Sequence, residues 1–79
     1  MAWRYQWFLQ NGVWSLSAAD GKETIRVGTV RSYRGGYEAA TTDNPPRIRR
    51  ASSAEACRKW LEGVFEREMT ETRGRRQYH

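Results

Sequence analysis

The chain has 79 residues, one cysteine, one histidine and a formal net charge of +5. This length allows one domain with one small core, and a lone cysteine excludes an intramolecular disulfide. Cys/His groups with zinc-ligand spacing are missing, and no apolar run reaches the roughly 18 residues that span a membrane. Without a signal-peptide core either, the sequence predicts a cytoplasmic, intracellular protein with no metal or other cofactor.

Positive charge is concentrated outside the C-terminal helical segment. Residues 1–53 hold eight Lys/Arg against four Asp/Glu, residues 54–72 hold three against five, and residues 73–79 hold three arginines. This distribution predicts an anionic partner, nucleic acid first and an acidic protein surface second. The alternative is that the charge serves solubility alone.

The first seventeen residues predict a β-hairpin. The stretch WRYQWFLQ (3–10) alternates side chains with the period and aromatic enrichment of a strand. Asn11-Gly12 is a strong hairpin-turn signal, and VWSLS (13–17) is the return strand. An aromatic stripe runs along one face: Trp3, Tyr5, Trp7 and Trp14. We expect most of this stripe to lie beneath a helix, which leaves Phe8, of opposite parity, as the exposed aromatic residue.

Further strands are predicted at residues 23–33, 37–41 and 47–50. In the longest, Val30 is out of phase with Ile25 and Val27, and Gly28 between them predicts a β-bulge that restores the phase. The stretch TDNPP (42–46) interrupts the sheet pattern, because two prolines remove two backbone donors.

The arginine-rich segment RIRR (47–50) is predicted to be buried through Ile48. That phase directs Arg47 and Arg49 outward and places Arg50 at the start of the helix. Positive charge opposes the helix dipole there by up to about 1 kcal/mol, which favours a binding role for Arg50. The alternative is that Arg50 points away and pairs with a glutamate.

The C-terminal segment predicts one amphipathic helix. Ser52 followed by Glu55 fits a capping box, and Gly74 ends the helical pattern. The apolar stripe consists of Cys57, Trp60, Leu61, Val64, Phe65 and Met69. The predicted fold is α+β: a four- to five-stranded antiparallel β-meander with one C-terminal helix packed on one face. It comprises a single sheet-plus-helix domain (1–73) and a basic flexible tail (74–79).

The side-chain inventory argues against an enzyme. The one histidine is the last residue, His79, and the sequence contains neither a nucleophile-elbow motif nor a P-loop motif. Cys57 lies on the apolar stripe and is interpreted as a buried structural thiol. A single helix leaves one face of the sheet uncovered, and a non-catalytic binding module is therefore predicted there.

Arginine side chains bind phosphate and guanine edges, and aromatic rings stack on bases. The candidate residues for nucleic-acid or partner binding are Arg26, Arg31, Arg34, Tyr37, Arg47, Arg49 and Arg50.

The motifs GGYEA (35–39) and SSAEA (52–56) carry a resemblance to AP2-like and integrase N-terminal DNA-binding domains. In these domains three strands lead into one helix. The resemblance implies that the sheet enters the major groove of DNA. It covers residues 28–62, and the N-terminal hairpin lies outside it.

In size and cysteine-poor composition the chain also resembles small accessory proteins of phages and mobile elements. Anti-CRISPR proteins, which bind host nuclease complexes and block their DNA or RNA sites, belong to this group. The resemblance implies an alternative function as an inhibitor docked on a host protein complex. A third alternative is a homodimer that pairs two open sheet faces.

Overall fold

The computed structural model describes residues 3–76, with the side chains of residues 3–69. The elements are β1 (Arg4–Gln10), β2 (Val13–Ala19), β3 (Thr24–Tyr33), β4 (Gly36–Thr41), β5 (Ile48–Ala51) and α1 (Ala54–Arg76). The strands form one antiparallel sheet in the order β1-β2-β3-β4-β5. The predicted α+β meander with one C-terminal helix is confirmed.

Two hairpins close with two-residue turns in the left-handed conformation. Asn11 and Gly12 have φ angles of 53° and 76°, and Arg34 and Gly35 have φ angles of 46° and 79°. Positive φ at both central residues is typical of the type I′ turn, whose twist matches that of the flanking strands. In both hairpins the strands pair directly up to the turn, so the turns fix the register.

The predicted bulge in β3 is confirmed. Leu16 of β2 pairs with Gly28, but the next residue of β2 pairs two positions away, with Arg26. Val27 is therefore the extra residue, and its side chain is buried in the core. A Cβ at Gly28 would lie 2.3 Å from the Ala40 carbonyl oxygen, so the bulge requires glycine at this position.

The helix packs across β3, β4 and β5 and covers one face of the sheet. Leu61 and Cys57 of α1 are fully buried in one apolar cluster with Leu16 and Val30 of the sheet. Burial of each aliphatic side chain contributes about 1.5–3 kcal/mol. The hydrophobic core of the protein therefore lies between the covered face and α1.

The aromatic stripe lies on the helix side of the sheet, as predicted. The rings of Trp3 and Tyr5 meet the Phe65 ring edge-on, with centroids 5.2 and 6.2 Å apart. The other two members of the stripe lie under the Arg58 guanidinium group, 4.8 and 4.9 Å from their ring centroids. Phe8, on the opposite side of β1, is 58% exposed, as the alternation predicts.

Both ends of the helix differ from the sequence prediction. The hydroxyl of Ser53 accepts a hydrogen bond of 3.2 Å from the backbone N–H of Ala56, so Ser53 is the N-cap and the predicted capping box that begins at Ser52 is wrong. At the other end α1 passes Gly74 and ends at Arg76. The last three residues of the predicted tail lie outside the described part of the chain, and its flexibility stays a prediction.

Strand β5 has the opposite phase to the one predicted. Arg49 pairs with Ala39, which is fully buried under α1, so Arg49 lies on the helix side. Ile48 and Arg50 therefore lie on the other side, and Ile48 is 47% exposed instead of buried. Ala51, two residues after Arg49, provides the apolar packing of β5 against the core.

Candidate binding face

The side of the sheet turned away from α1 is here named the open face. Its residues are Arg4, Gln6, Phe8, Gln10, Val13, Ser15, Ser17, Ala19, Thr24, Arg26, Thr29, Arg31, Tyr33, Glu38, Ala40, Ile48 and Arg50. Four arginines against one glutamate give this set a formal charge of +3. Small side chains occupy its centre, and the charged side chains lie toward its ends.

One cross-strand row passes over the whole open face. In register it consists of Phe8, Ser15, Thr29, Ala40 and Ile48. The two ends are large, apolar and exposed, whereas the three middle side chains are small. Four interstrand spacings separate the ends by about 19 Å. A ligand lying along the row can therefore contact both apolar ends without meeting a bulky side chain between them.

Glu38 is clamped between two arginines of neighbouring strands. Its Oε1 accepts hydrogen bonds of 3.2 and 2.9 Å from Arg31 Nε and Nη2, and its Oε2 accepts one of 3.0 Å from Arg50 Nε. Glu38 is buried beneath these side chains, which are themselves 59% and 60% exposed. Hydrogen bonds from Arg50 first and Arg31 second hold the pKa of Glu38 below its ordinary value.

Tyr33 lies beside this clamp at the end of β3. The guanidinium carbon of Arg50 is 4.4 Å from the centroid of the Tyr33 ring, and that of Arg34 is 5.5 Å from it. Arg34 occupies the left-handed position of the β3–β4 turn. Together with Glu38, this ring holds the cations at one end of the open face in fixed positions.

Two arginines of the open face are exposed without a carboxylate partner among the described residues: Arg4 and Arg26. Arg4 lies opposite Ala19 at the far end of β1, and Arg26 lies opposite Ser17 near the bulge. A phosphate can bind either guanidinium group without first displacing a carboxylate, which makes both more available than the clamped pair.

Three predicted site residues lie away from the open face. Tyr37 pairs with Ala51 and packs against the core, because β4 directs its odd-numbered residues toward α1. Arg49 is exposed on the helix side of β5. Arg47 binds two carboxylates, which ties the loop of residues 42–46 to α1 and raises the pKa of the Arg47 side chain.

The Arg47 contacts connect the loop to the helix through Asp43 and Glu68. The Arg47 Nη2 atom lies 2.8 Å from Asp43 Oδ2 and also bonds Glu68. The hydroxyl of Thr41 donates to the same Asp43 oxygen at 2.8 Å. These residues border a cleft of about 190 Å³ floored by apolar side chains of α1. The two carboxylates at this cleft, those of Asp43 and Glu68, are already bound by Arg47. Arg47 therefore has a structural role here.

The open face thus contains Arg26, Arg31 and Arg50 of the predicted set, and Arg34 borders it. Residues that the predicted set omits are Arg4, Phe8 and Tyr33. Strict alternation from the aromatic stripe of β1 assigns Arg4 to the same side as Phe8. For Tyr33 the phase follows only once the bulge at Val27 is counted.

Reactive groups are few in the described part of the chain. Cys57 is fully buried, and burial raises the pKa of its thiol. Among residues 3–69, no three His, Cys, Asp or Glu side chains converge as ligands for a metal ion. Within the same described part, no helix has the combined length and apolar character needed to cross a bilayer.

Comparisons with protein-family models, with curated proteins and with solved structures find no match to this chain.

Proposed function

We propose that this chain is a non-catalytic nucleic-acid-binding module that uses the open face. The observation that carries the proposal is the arrangement of that face: small side chains at its centre, a formal charge of +3 and an exposed aromatic ring at one edge. Positive charge attracts the phosphate backbone, and a sheet face without bulky groups lets the strand lie close.

The arginines divide into two groups in this proposal. Arg4 and Arg26, which have no carboxylate partner among the described residues, supply the first phosphate contacts. Arg31 and Arg50 are held by Glu38, so their guanidinium edges are oriented before a ligand arrives. Their mobility is already restricted, which lowers the entropy cost of ordering them on binding.

Phe8 provides the stacking platform. Its side chain is 58% exposed and is flanked by glutamines on its own strand and by Ser15 across the sheet. Stacking of one base on an aromatic ring contributes about 1–3 kcal/mol. The geometry favours unpaired bases, because stacking requires a base that is not already paired in a duplex.

A salt titration tests the proposal. Fluorescence anisotropy with labelled single-stranded and duplex DNA and RNA is measured from about 50 mM salt upward. We expect binding whose log–log salt slope is about −3, corresponding to three or four neutralised phosphates. A lack of binding to all of these ligands at the lowest salt concentration would contradict the proposal.

A second candidate function is an inhibitor of the anti-CRISPR type that binds a host nuclease complex and blocks its nucleic-acid site. The observation that favours it is the exposed apolar pair Phe8 and Ile48 at opposite ends of one row. Aromatic side chains such as that of Phe8 are enriched at protein interfaces. A chain that binds no nucleic acid itself, but displaces nucleic acid from a nuclease complex, would support this candidate over the first.

A further inference from the structure

The two edges of the sheet differ in their protection against pairing with another strand. β5 has only four residues, and two of them are arginines; Pro45, Pro46 and a third arginine come directly before it. Short length, positive charge and proline are devices that keep an edge strand from accepting a further strand. β1 has seven residues, one charged side chain, no proline and no bulge in its pairing with β2.

The unprotected edge also exposes apolar surface. Phe8 and Leu9 are 58% and 57% exposed, the largest fractions among the exposed large hydrophobic residues of the described part. Leu9 shares the helix side of β1 with Tyr5 and Trp7. Both of these hydrogen-bond to α1, through Glu62 and Glu66, whereas Leu9 next to the turn stays 57% exposed. Among residues 3–76 no strand pairs with the outer edge of β1, so this edge combines free backbone groups with apolar side chains on both of its faces.

We propose that β1 pairs antiparallel with β1 of a second copy of this chain, about a two-fold axis at Trp7. This register places Trp7 opposite Trp7, Tyr5 opposite Leu9, Gln6 opposite Phe8 and Arg4 opposite Gln10 of the second copy. It pairs all seven residues of the strand, and the same contact recurs on both sides of the axis.

Backbone geometry supports this register. Residues of an antiparallel strand direct their N–H and C=O groups alternately toward one neighbour and the other. The two-residue turn makes Gln10 and Val13 a hydrogen-bonded pair, so Tyr5, Trp7 and Leu9 direct these groups to the free edge. A two-fold axis at Trp7 brings these three residues opposite one another, and every outward group gains a partner.

Side-chain chemistry favours the same arrangement. Arg4, the only charged residue of β1, lies opposite the neutral Gln10 and not opposite a second arginine. Leu9 gains the ring of Tyr5 as a cross-strand neighbour. The two Phe8 rings become diagonal neighbours at about 7–8 Å, within reach of aromatic side chains.

The dimer joins two five-stranded sheets into one continuous sheet, with both open faces on the same side. It differs from a dimer that stacks two open faces, because edge pairing leaves these faces accessible. The inference does not depend on the proposed function, since it rests on the β1 edge alone. If nucleic acid is bound, the joined faces double the length of strand that can be contacted.

Matched lysine substitutions test the inference. Phe8→Lys and Leu9→Lys place charge at the β1 edge, the first on the open face and the second on the helix side. Ile48→Lys places charge on the open face at the opposite edge. All three side chains are about half exposed or more, so the monomer fold is expected to survive, which circular dichroism checks. By light scattering we expect the wild type and Ile48→Lys to have twice the mass of one chain, and both β1 variants to have the mass of one chain.

Hydrogen exchange of the wild type provides a second readout that needs no variant. Edge pairing protects the amides of Tyr5, Trp7 and Leu9, which otherwise face solvent. A wild type that is monomeric at high concentration, with rapid exchange at these amides, would overturn the inference. So would a dimer that Ile48→Lys dissociates and Leu9→Lys does not, because Leu9 lies on the helix side and that outcome identifies pairing through the open faces.

Discussion

Arginines on the two faces of the sheet are held in different ways. On the helix side, Arg58 covers two tryptophan rings and Arg47 ties a loop to α1 through Asp43 and Glu68. On the open face, two arginines share one glutamate, and two others have no carboxylate partner among the described residues. The same residue type therefore stabilises the fold on one face and remains available for a ligand on the other.

This difference explains the dense positive charge between the sheet and the helix. Within the segment 47–50, the arginines contact both faces of the sheet. Arg47 binds carboxylates on the helix side, whereas Arg50 binds Glu38 on the open face. Charge counted along the sequence overstates the charge available to a partner, because several of these groups are already neutralised within the molecule.

The largest expected contrast between the faces is in stability. Leu61→Ala removes a fully buried side chain of the covered face and is expected to cost about 3 kcal/mol of the free energy of unfolding. Ile48→Ala removes a side chain of the open face that is 47% exposed and is expected to cost less than about 1 kcal/mol. Urea denaturation measures both. Equal losses would show that the open face is packed against something in solution.

The next contrast is in ligand binding. Arg4→Glu combined with Arg26→Glu reverses two charges of the open face that have no carboxylate partner within the described part of the chain. We expect a loss of nucleic-acid affinity of about 100-fold or more at low salt, and a salt slope that is shallower by about two units. Anisotropy titrations measure both quantities.

The matched control reverses two exposed arginines outside the open face, Arg49→Glu with Arg67→Glu. The net charge of this variant equals that of the open-face variant, so any difference reports position and not total charge. We expect a loss of less than about threefold, from long-range electrostatics alone. Similar losses in both double variants would mean that binding is diffuse and that the open face has no special role.

The smallest expected effect is the pH dependence that Glu38 confers. Hydrogen bonds from Arg50 and Arg31 lower the pKa of Glu38 in the folded protein. The ionised carboxylate therefore stabilises the fold at any pH above the pKa of the unfolded chain, which is near 4.5. This contribution is lost as the pH falls through the lower pKa of the folded state. Melting temperatures of the wild type and Glu38→Gln should therefore differ at pH 7 and converge in acid.

Glu55→Gln is the control for this comparison. Glu55 pairs with Lys59 at 3.4 Å, but both side chains are about three quarters exposed, so the pair contributes little at any pH. If Glu38→Gln and Glu55→Gln lowered the melting temperature by the same amount at every pH, the predicted stabilisation by the Glu38 carboxylate would be contradicted. Glu38→Gln also removes the one negative charge of the open face, and we expect the stronger phosphate attraction to outweigh the lost orientation of Arg31 and Arg50, so that nucleic acid binds more tightly than to the wild type.

Local signals in the sequence were sufficient for most of the fold. Asn11-Gly12 predicts its type I′ turn, Gly28 predicts the bulge, and the apolar spacing of the last segment predicts the helix. Each of these depends on neighbours within a few residues. The helix cap was wrong by one residue because Ser52 and Ser53 both offer a hydroxyl, and only the approach of the chain to the sheet distinguishes them.

The site was harder to predict, because its residues are grouped by strand phase across the sheet. After the two prolines of the 42–46 loop, nothing local fixes the phase of β5, and the prediction that Ile48 points inward rests on its hydrophobicity alone. The small apolar side chain of Ala51 is the better signal for the phase of β5. It lies on the helix side of the strand together with Arg49 and packs against the core. The clamp on Glu38 joins three strands and could not be found without the register.

The most direct test of the open face as the binding surface is an NMR titration of isotope-labelled protein with a short single-stranded oligonucleotide. We expect the largest amide shifts to lie on the open face, at Phe8, Ser15, Arg26 and Thr29, with small shifts along α1. Shifts concentrated on α1 or at Arg47 and Arg49, or no shifts at low salt, would contradict the account.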